Sequence, residues 1–328
     1  MRILLSIPGH TRTIPMGRFT EKALQQLGHE VHVFNHERNG QVERVREKIS
    51  FKRFKAYKNQ QVLDLAETIK PDLFFTIYGF NHDAATLEKL KQKGIMTVCW
   101  WLNDPFDLGY KHIPAHLYDH FFSNSKGTQG VYHHYQVKNC HYLPVGIDPE
   151  VHKPGASGEK KYDIVFAGDW HPIREKALTQ LVTQFQFALA GPWKRKIDKD
   201  SPLRPYFVNM GYFTPTEMAA FFSQAHIVFN LHTWFGRWSY GVNPRLFEAS
   251  GCRAFQISDR KEEIQDLYEP GKEIVLYDRL EEIPELLTHY LARPEECDAI
   301  AANAYTRTLQ QHTYMHRMQE LLEVINRS

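Results

Sequence analysis

The sequence predicts two doubly wound α/β domains, each a parallel sheet with helices on both faces. Three observations carry this. Short apolar runs alternate with segments of helical periodicity along most of the chain. The length, 328 residues, is too great for one ordinary core and comfortable for two. The alternation breaks once, between Pro144 and Lys161, in a stretch rich in Pro, Gly and charge, and then restarts. The domains are placed at residues 1–150 and 151–328, with the last helix free to pack back on the first domain.

Each element has its own signal. Arg2–Ile7 is an apolar run stopped by Pro8-Gly9 and reads as a buried strand. Met16–Leu27 has helical spacing closed by Gly28, and Glu30–Asn35 is the next strand. Gln60–Ile69 is helical and ends before Pro71; Asp72–Tyr78 is a strand, Asp83–Lys93 a helix, Ile95–Leu102 a strand. Phe121–Ser123, Lys126–Tyr135 and Cys140–Leu143 complete the first domain as strand, helix, strand. The second begins with strand Tyr162–Ala167 and helix Arg174–Leu181, followed by strands Phe185–Ala190 and Val208–Tyr212. Helix Pro215–Gln224, strand Ile227–Leu231, helix Pro244–Ser250 and strand Ala254–Ile257 follow, and the tail from Leu280 is mostly helical.

Composition sets limits. Hydrophobic residues make up 42% and charged residues 24%, as in soluble globular proteins, and a formal charge of +2 gives no bulk pull toward nucleic acid. Cys99, Cys140, Cys252 and Cys297 stand far apart, which argues against a disulfide framework or a thiolate zinc site. The apolar N-terminus is interrupted at Pro8, too soon for a signal-peptide core, and no run reaches the ~20 apolar residues of a membrane span. These features predict a cytoplasmic protein, open to peripheral contact with a membrane.

The densest cluster of chemistry is Asn243-Pro244-Arg245-Leu246-Phe247-Glu248. Pro244 suits a first helical turn, Asn243 falls at the cap, and Arg245 and Glu248 share a face. A guanidinium beside a carboxylate suits a phosphorylated ligand with hydroxyls: phosphate on Arg245, ribose or sugar hydroxyls on Glu248. The plainer reading is a capped amphipathic helix with a surface ion pair. Phe166-Ala167-Gly168-Asp169-Trp170-His171-Pro172-Ile173-Arg174 is a strand, a glycine loop and a helix start, the order that brings backbone N–H groups to a diphosphate, with Arg174 as a clamp. A tight turn with an exposed arginine is the alternative. No G-x-G-x-x-G or P-loop signature is present.

In the first domain, His10 and Arg12 follow the first strand, where they can contact donor phosphates or an acceptor; an ordinary polar turn reads equally well. Trp100-Trp101-Leu102-Asn103-Asp104 ends another strand. Asp104, beside aromatic walls that would raise its pKa, is the candidate general base, with Trp100 and Trp101 stacking on a sugar. The rival reading makes Asn103-Asp104-Pro105 a turn and the tryptophans core. Asp198-Lys199-Asp200 matches a D-x-D metal motif but sits in a basic polar stretch without flanking strands, and is read as a solvated loop.

Taken together, F-A-G-D-W-H-P-I-R (166–174), M-G-Y-F-T-P-T-E-M (210–218), N-P-R-L-F-E-A-S-G (243–251), E-P-G-K-E (269–273) and the terminal His312-Thr313-Tyr314-x-x-Arg317 resemble the CgeB/YkvP-type glycosyltransferase-like family, and more broadly the donor domain of GT-B glycosyltransferases. The resemblance covers residues 162–328 well and the first half in outline. It implies two Rossmann-like domains facing a central cleft, with a nucleotide-diphosphate sugar on the second and the acceptor on the first. It places Gly168 and Arg174 at the diphosphate, Tyr212 and Phe213 near the base, Asn243 and Arg245 by the phosphates or sugar, and Glu248 on the ribose. Tyr240 stands where related retaining enzymes carry the first of two glutamates.

The resulting expectation is a metal-independent hexosyl- or related transferase. It would use a UDP-sugar, with no other cofactor, and an unidentified acceptor hydroxyl on a glycan, lipid, protein or modified nucleic acid. The missing glutamate keeps two alternatives open: a non-catalytic nucleotide-sugar-binding protein and a sugar-nucleotide epimerase. Residues 44–58 interleave Arg44, Arg46, Lys48, Lys52, Arg53, Lys55 and Lys58 with apolar side chains. They are read as a contact for an anionic membrane surface or DNA, against a solvated surface segment.

Overall fold

The computed structural model describes residues 1–9, 15–37, 40–155 and 160–327. The chain divides into two compact units: Gly146–Thr313 forms the second, and the first joins the residues up to Val145 with the tail from Tyr314. The first unit opens with β1 (Arg2–Ile7), α1 (Met16–Gln26), β2 (Glu30–Asn35), α2 (Gly40–Ile49), α3 (Phe51–Ile69) and β3 (Leu73–Ile77). It continues with α4 (Ala84–Gln92), β4 (Met96–Trp101), β5 (His120–Ser123), α5 (Gln129–His134) and β6 (Cys140–Tyr142). The second holds β7 (Tyr162–Ala167), α6 (Pro172–Leu181), β8 (Phe187–Ala190), β9 (Phe207–Asn209), α7 (Pro215–Ser223), β10 (Ala225–Asn230) and α8 (Arg245–Gly251). It closes with β11 (Gln256–Asp259), α9 (Ile264–Leu267), β12 (Val275–Tyr277), α10 (Ile283–Leu291) and α11 (Pro294–Gln311), before α12 (Tyr314–Asn326) returns to the first unit. Among the described residues no helix is long and apolar enough to cross a membrane.

Both sheets are six-stranded and parallel throughout, in the orders β2-β1-β3-β4-β5-β6 and β12-β11-β10-β7-β8-β9. A parallel strand is covered by helices on both faces, so it must be apolar on both. In β7, Ile164 and Phe166 enter one core with Leu189, Trp193 and Phe229, while Val165 and Ala167 enter the other with Ala188, Phe222 and Ala249. Local signals set the helix starts. Ser50 and Asp83 cap α3 and α4 through their side chains, and Thr214 with Glu217 closes a full capping box ahead of Pro215. In the first unit α12 packs on α1, with the Phe19 and Tyr314 rings 5.3 Å apart.

Three departures from the sequence reading have physical causes. Helix α3 begins at Phe51, and a separate helix, α2, precedes it; residues 44–58 were read for their charge, and the apolar residues of α2 point outward. Strand β12 was not foreseen because three residues carry no period. Trp100 and Trp101 are core residues and not sugar platforms: both are 0% exposed. The Trp100 indole donates to Leu143 O at 2.9 Å and that of Trp101 to Asp107 O at 2.7 Å.

Asp104 is likewise a structural hub. It is 2% exposed, and its carboxylate accepts from Ser123 Oγ at 2.5 Å, Tyr132 OH at 3.0 Å and Thr128 Oγ1 at 3.1 Å. Its backbone N–H and C=O pair with the Asn124 amide, each at 3.1 Å. These bonds fasten the turn after β4 to the segment leading into α5 and leave the carboxylate no open side for an acceptor. Burial raises its pKa to about 7 against the opposing pull of the hydroxyl donors.

Two outcomes follow. Trp100→Ala removes a large buried ring and lowers the urea-unfolding stability by about 3–5 kcal/mol; a loss under about 1 kcal/mol would return the ring to the surface. Asp104 is harder to ionise folded than unfolded, so its protonated form favours the fold. That contribution is full below the ordinary pKa of 3.8 and is lost as pH rises to about 7. At about 1.36 kcal/mol per unit this amounts to about 4 kcal/mol. Asp104→Asn, which cannot ionise, should flatten the fall in stability over that window; equal slopes in parent and variant would refute the assignment.

Candidate functional site

The second unit holds a cavity of about 210 Å³ at the C-terminal ends of its strands, where doubly wound sheets bind ligands. Its floor is the loop after β7 and the loop after β8. Gly168 N donates to Ala190 O at 3.0 Å, and Gly168 O accepts from the Trp193 indole at 2.7 Å. Gly191 has φ +153°, and a Cβ there would stand 2.0 Å from Gly168 O, so the two loops meet backbone to backbone with no side chain between them. Tyr212 and Phe213 form part of the wall, Tyr212 about half exposed, and Asn243, Pro244 and Arg245 close it from the start of α8.

Arg174 lines this cavity while being only 7% exposed. It sits in the first turn of α6, which His171 caps and Pro172 starts. Its Nε donates to Leu231 O at 2.8 Å, its Nη1 to Asp169 O at 2.9 Å, and its guanidinium lies 5.3 Å from the Phe166 ring centroid. Burial lowers its pKa to about 10, which leaves it cationic at neutral pH. Among the described residues no carboxylate lies within ion-pair distance of it. The side chain is thus aligned by carbonyl dipoles, and Asp169 and Asp259 act on its charge only from beyond ion-pair distance.

Arg245 is held differently. Its Nε donates to Ala167 O at 3.2 Å, Nη1 bonds Glu248 Oε2, and the guanidinium lies 5.3 Å from the Phe222 centroid. Glu248 does not line the cavity. It is 4% exposed, engaged by Arg245 one turn away and 3.9 Å from His152 Nε2. At i, i+3 spacing its carboxylate is engaged with the Arg245 guanidinium and does not face the cavity expected to take a ribose.

A buried polar chain sets the segment ahead of α8. Asn243 exchanges side-chain hydrogen bonds with Asn230, at 2.9 and 3.3 Å, and accepts from Leu246 N at 3.3 Å, although α8 begins at Arg245 with Pro244 at the cap position, one residue later than the sequence reading placed it. Asn243 N donates to His232 Nε2 at 3.1 Å, and His232 Nδ1 bonds Asp259 Oδ1 at 2.7 Å, with Lys261 Nζ 3.1 Å from Oδ2. Burial lowers the His232 pKa despite Asp259, so the ring is neutral, with its proton on Nδ1 and Nε2 accepting. Sequence reasoning missed His232 and Asp259. Their signal was position alone, each at or just past the C-terminal end of a central strand.

The first unit has its own cavity, of about 510 Å³, at the ends of β1 and β2. Pro8, His36, Glu47, Phe51, Lys55 and Asn81 are among the residues that line it. His36, 8% exposed, begins a relay: Nε2 to Ser6 Oγ at 3.1 Å, Ser6 Oγ to His82 Nε2 at 2.8 Å, His82 Nδ1 to Asn59 Oδ1 at 3.1 Å. Asn59 Nδ2 donates to Lys55 O and Asn81 O, so its Oδ1 accepts and fixes every tautomer down the chain. His36 then carries its proton on Nε2 and leaves Nδ1 as an acceptor. Burial first, then Lys58 and Lys55, lowers its pKa to about 3. His10 and Arg12 lie outside the described residues. Asp198 and Asp200 are exposed and close a turn through Asp200 N and Asp198 Oδ1 at 3.0 Å.

Residues 173–323 match the model of a family described as glycosyl transferase-like. Over 262 residues the chain is 22% identical to the spore protein CgeB of Bacillus subtilis (strain 168), covering 76% of this chain and 81% of that one. Among solved structures, sucrose-phosphate synthase from Thermosynechococcus elongatus superposes with a TM-score of 0.73 at 11% identity, over 100% of this chain and 99% of that one. HepE of Anabaena, solved in complex with UDP and glucose, gives 0.66 at 15% identity over all of both chains. The fold is the GT-B type, two six-stranded Rossmann-like units. The chain thus has the GT-B fold and is similar to spore protein CgeB, and its match to the glycosyl transferase-like family lies mostly in the unit that holds the arginine-lined cavity.

Proposed function

We propose that this protein transfers a glycosyl group from a UDP-sugar, held by the second unit, to an acceptor hydroxyl, held by the first. The observation that carries the donor assignment is Arg174, a buried guanidinium with carbonyl partners only, lining a glycine-floored cavity. A buried cation with no ion-pair partner is costly, and a diphosphate supplies such a partner on binding. That HepE is solved with UDP and with UDP-glucose supports the choice of nucleotide.

The chemistry then follows from charge. As the glycosidic bond breaks, negative charge gathers on the departing diphosphate, and fixed cations in a water-poor site stabilise it. Arg174 and Arg245 fill that role without requiring a metal ion. Glu248 holds Arg245 in place, and the Asn243–His232–Asp259 chain holds the backbone ahead of it. Tyr212, half exposed at the wall, offers a ring for the base to stack on. In the first unit, His36 offers the acceptor hydroxyl a hydrogen-bond acceptor whose orientation is fixed through Ser6, His82 and Asn59.

Arg174→Gln and Arg245→Gln should each weaken UDP binding by about 1.5–3 kcal/mol, the range for hydrogen bonds to charged groups. Isothermal calorimetry beside thermal melts checks this, and unchanged affinity in both folded variants would remove the donor site. His36→Gln should cut transfer by about tenfold, the loss of one hydrogen bond of about 0.5–1.5 kcal/mol, while UDP affinity stays that of the parent. Full activity would discharge His36 from the acceptor step. UDP-sugar binding by the parent with neither transfer nor hydrolysis, with or without chelator, would favour a non-catalytic binder.

A further inference from the structure

Helix α2 is folded inside out. Val42, Val45 and Ile49 stand at i, i+3 and i+7, a spacing that puts them on one helix face, and they are 65%, 54% and 74% exposed. Phe51, opening α3, is 62% exposed. The buried residue of α2 is Glu43, which turns inward to pair with Lys58 Nζ at 2.9 Å, and Glu47, one turn on, is half-buried. An amphipathic helix that only covered its own core would show the reverse arrangement. Arg46, Lys48, Lys52 and Arg53 are exposed on the same pair of helices, with Arg44 lining the first unit's cavity, so this surface combines apolar side chains with four cations while both acids of α2 are buried or half-buried.

We propose that α2 and the start of α3 form a docking surface for an anionic lipid bilayer, with Val42, Val45 and Ile49 entering the headgroup layer and the cations meeting its negative charge. Charge selects this occupant. A second copy related by a two-fold axis would set these cations against their own images. Nucleic-acid phosphates would meet the cations but leave the aliphatic side chains against a charged backbone. An anionic membrane matches both features, the pattern of helices that lie in the plane of a bilayer. The inference is independent of the donor-site reading.

The test is flotation of the full chain with vesicles of phosphatidylglycerol and phosphatidylcholine, beside vesicles of phosphatidylcholine alone. The parent should float with the anionic vesicles, less so as salt is raised, and not with the neutral ones. Val45→Glu with Ile49→Glu should reduce binding at least about tenfold while thermal melting and UDP affinity stay those of the parent. Arg46→Glu with Lys48→Glu should reduce binding and blunt its salt dependence. The proposal fails if the parent stays with the soluble fraction at low salt, or if the Val45/Ile49 variant floats as the parent does. It also fails if sedimentation velocity shows a dimer that this variant abolishes and no vesicle binding accompanies it.

Discussion

Because every pairing in both sheets is parallel, each central strand is buried on two faces and all strands of a sheet end on the same edge. The first consequence makes the cores: Ile164 and Phe166 on one side of β7, Val165 and Ala167 on the other. The second makes the sites. Register aligns Ala167 with Ala190, so the glycines that follow each meet directly and their backbones become a floor. In the other sheet Ile7 aligns with Asn35, and His36 N bonds Ile7 O at 2.9 Å, which brings His36 beside the turn after β1. Neither cavity needs a special loop to create it. Both are what a parallel edge leaves once its strands stop.

Side chains at those edges are then held by partners far away in sequence. Lys261, Asp259 and His232 form a buried series that ends on the backbone N–H of Asn243, two residues before Arg245. The neutral state of His232 matters here: a doubly protonated ring would present a donor to that N–H and push the segment away. Burial keeps the ring neutral, so the low dielectric that makes Asp259 costly to bury also secures the tautomer on which the site depends.

Much of this was legible from residues. The apolar runs gave most strands, the helix placed at Pro215–Gln224 matches α7, and the spacing of Arg245 and Glu248 gave their shared face. Where the reading failed, it failed for definable reasons. Trp100 and Trp101 lie within a strand of a parallel sheet, where adjacent side chains enter opposite cores, so neither had an outer face to offer. Asp104 drew attention for its aromatic neighbours, but the hydroxyls that occupy it come from 19 to 28 residues later. Ser6, His36, Asn59 and His82 are spread over 76 positions and meet only through strand order, which periodicity does not encode. The segment holding α2 was read for its charge, as residues 44–58, and the helical spacing of Val42, Val45 and Ile49 went unused.

Buried charge separates structural duty from ligand duty. Lys58 has Glu43, Lys261 has Asp259, Arg245 has Glu248, and each of these pairs is closed within its own unit. Asp104 is met by three hydroxyls and answers burial with a raised pKa, so its charge is relieved by protonation. Arg174 has no such pair: Asp169 and Asp259 act on it only from beyond ion-pair distance. A pKa of about 10 keeps it charged at neutral pH, and its partners are carbonyl oxygens that orient without neutralising. A guanidinium fixed in that state, on the wall of a cavity floored by bare glycine backbone, is pre-organised for an anion: its desolvation is borne by the fold in advance, so binding need not supply it. That asymmetry among buried ions, more than any motif, is what distinguishes the second unit's cavity from a packing defect.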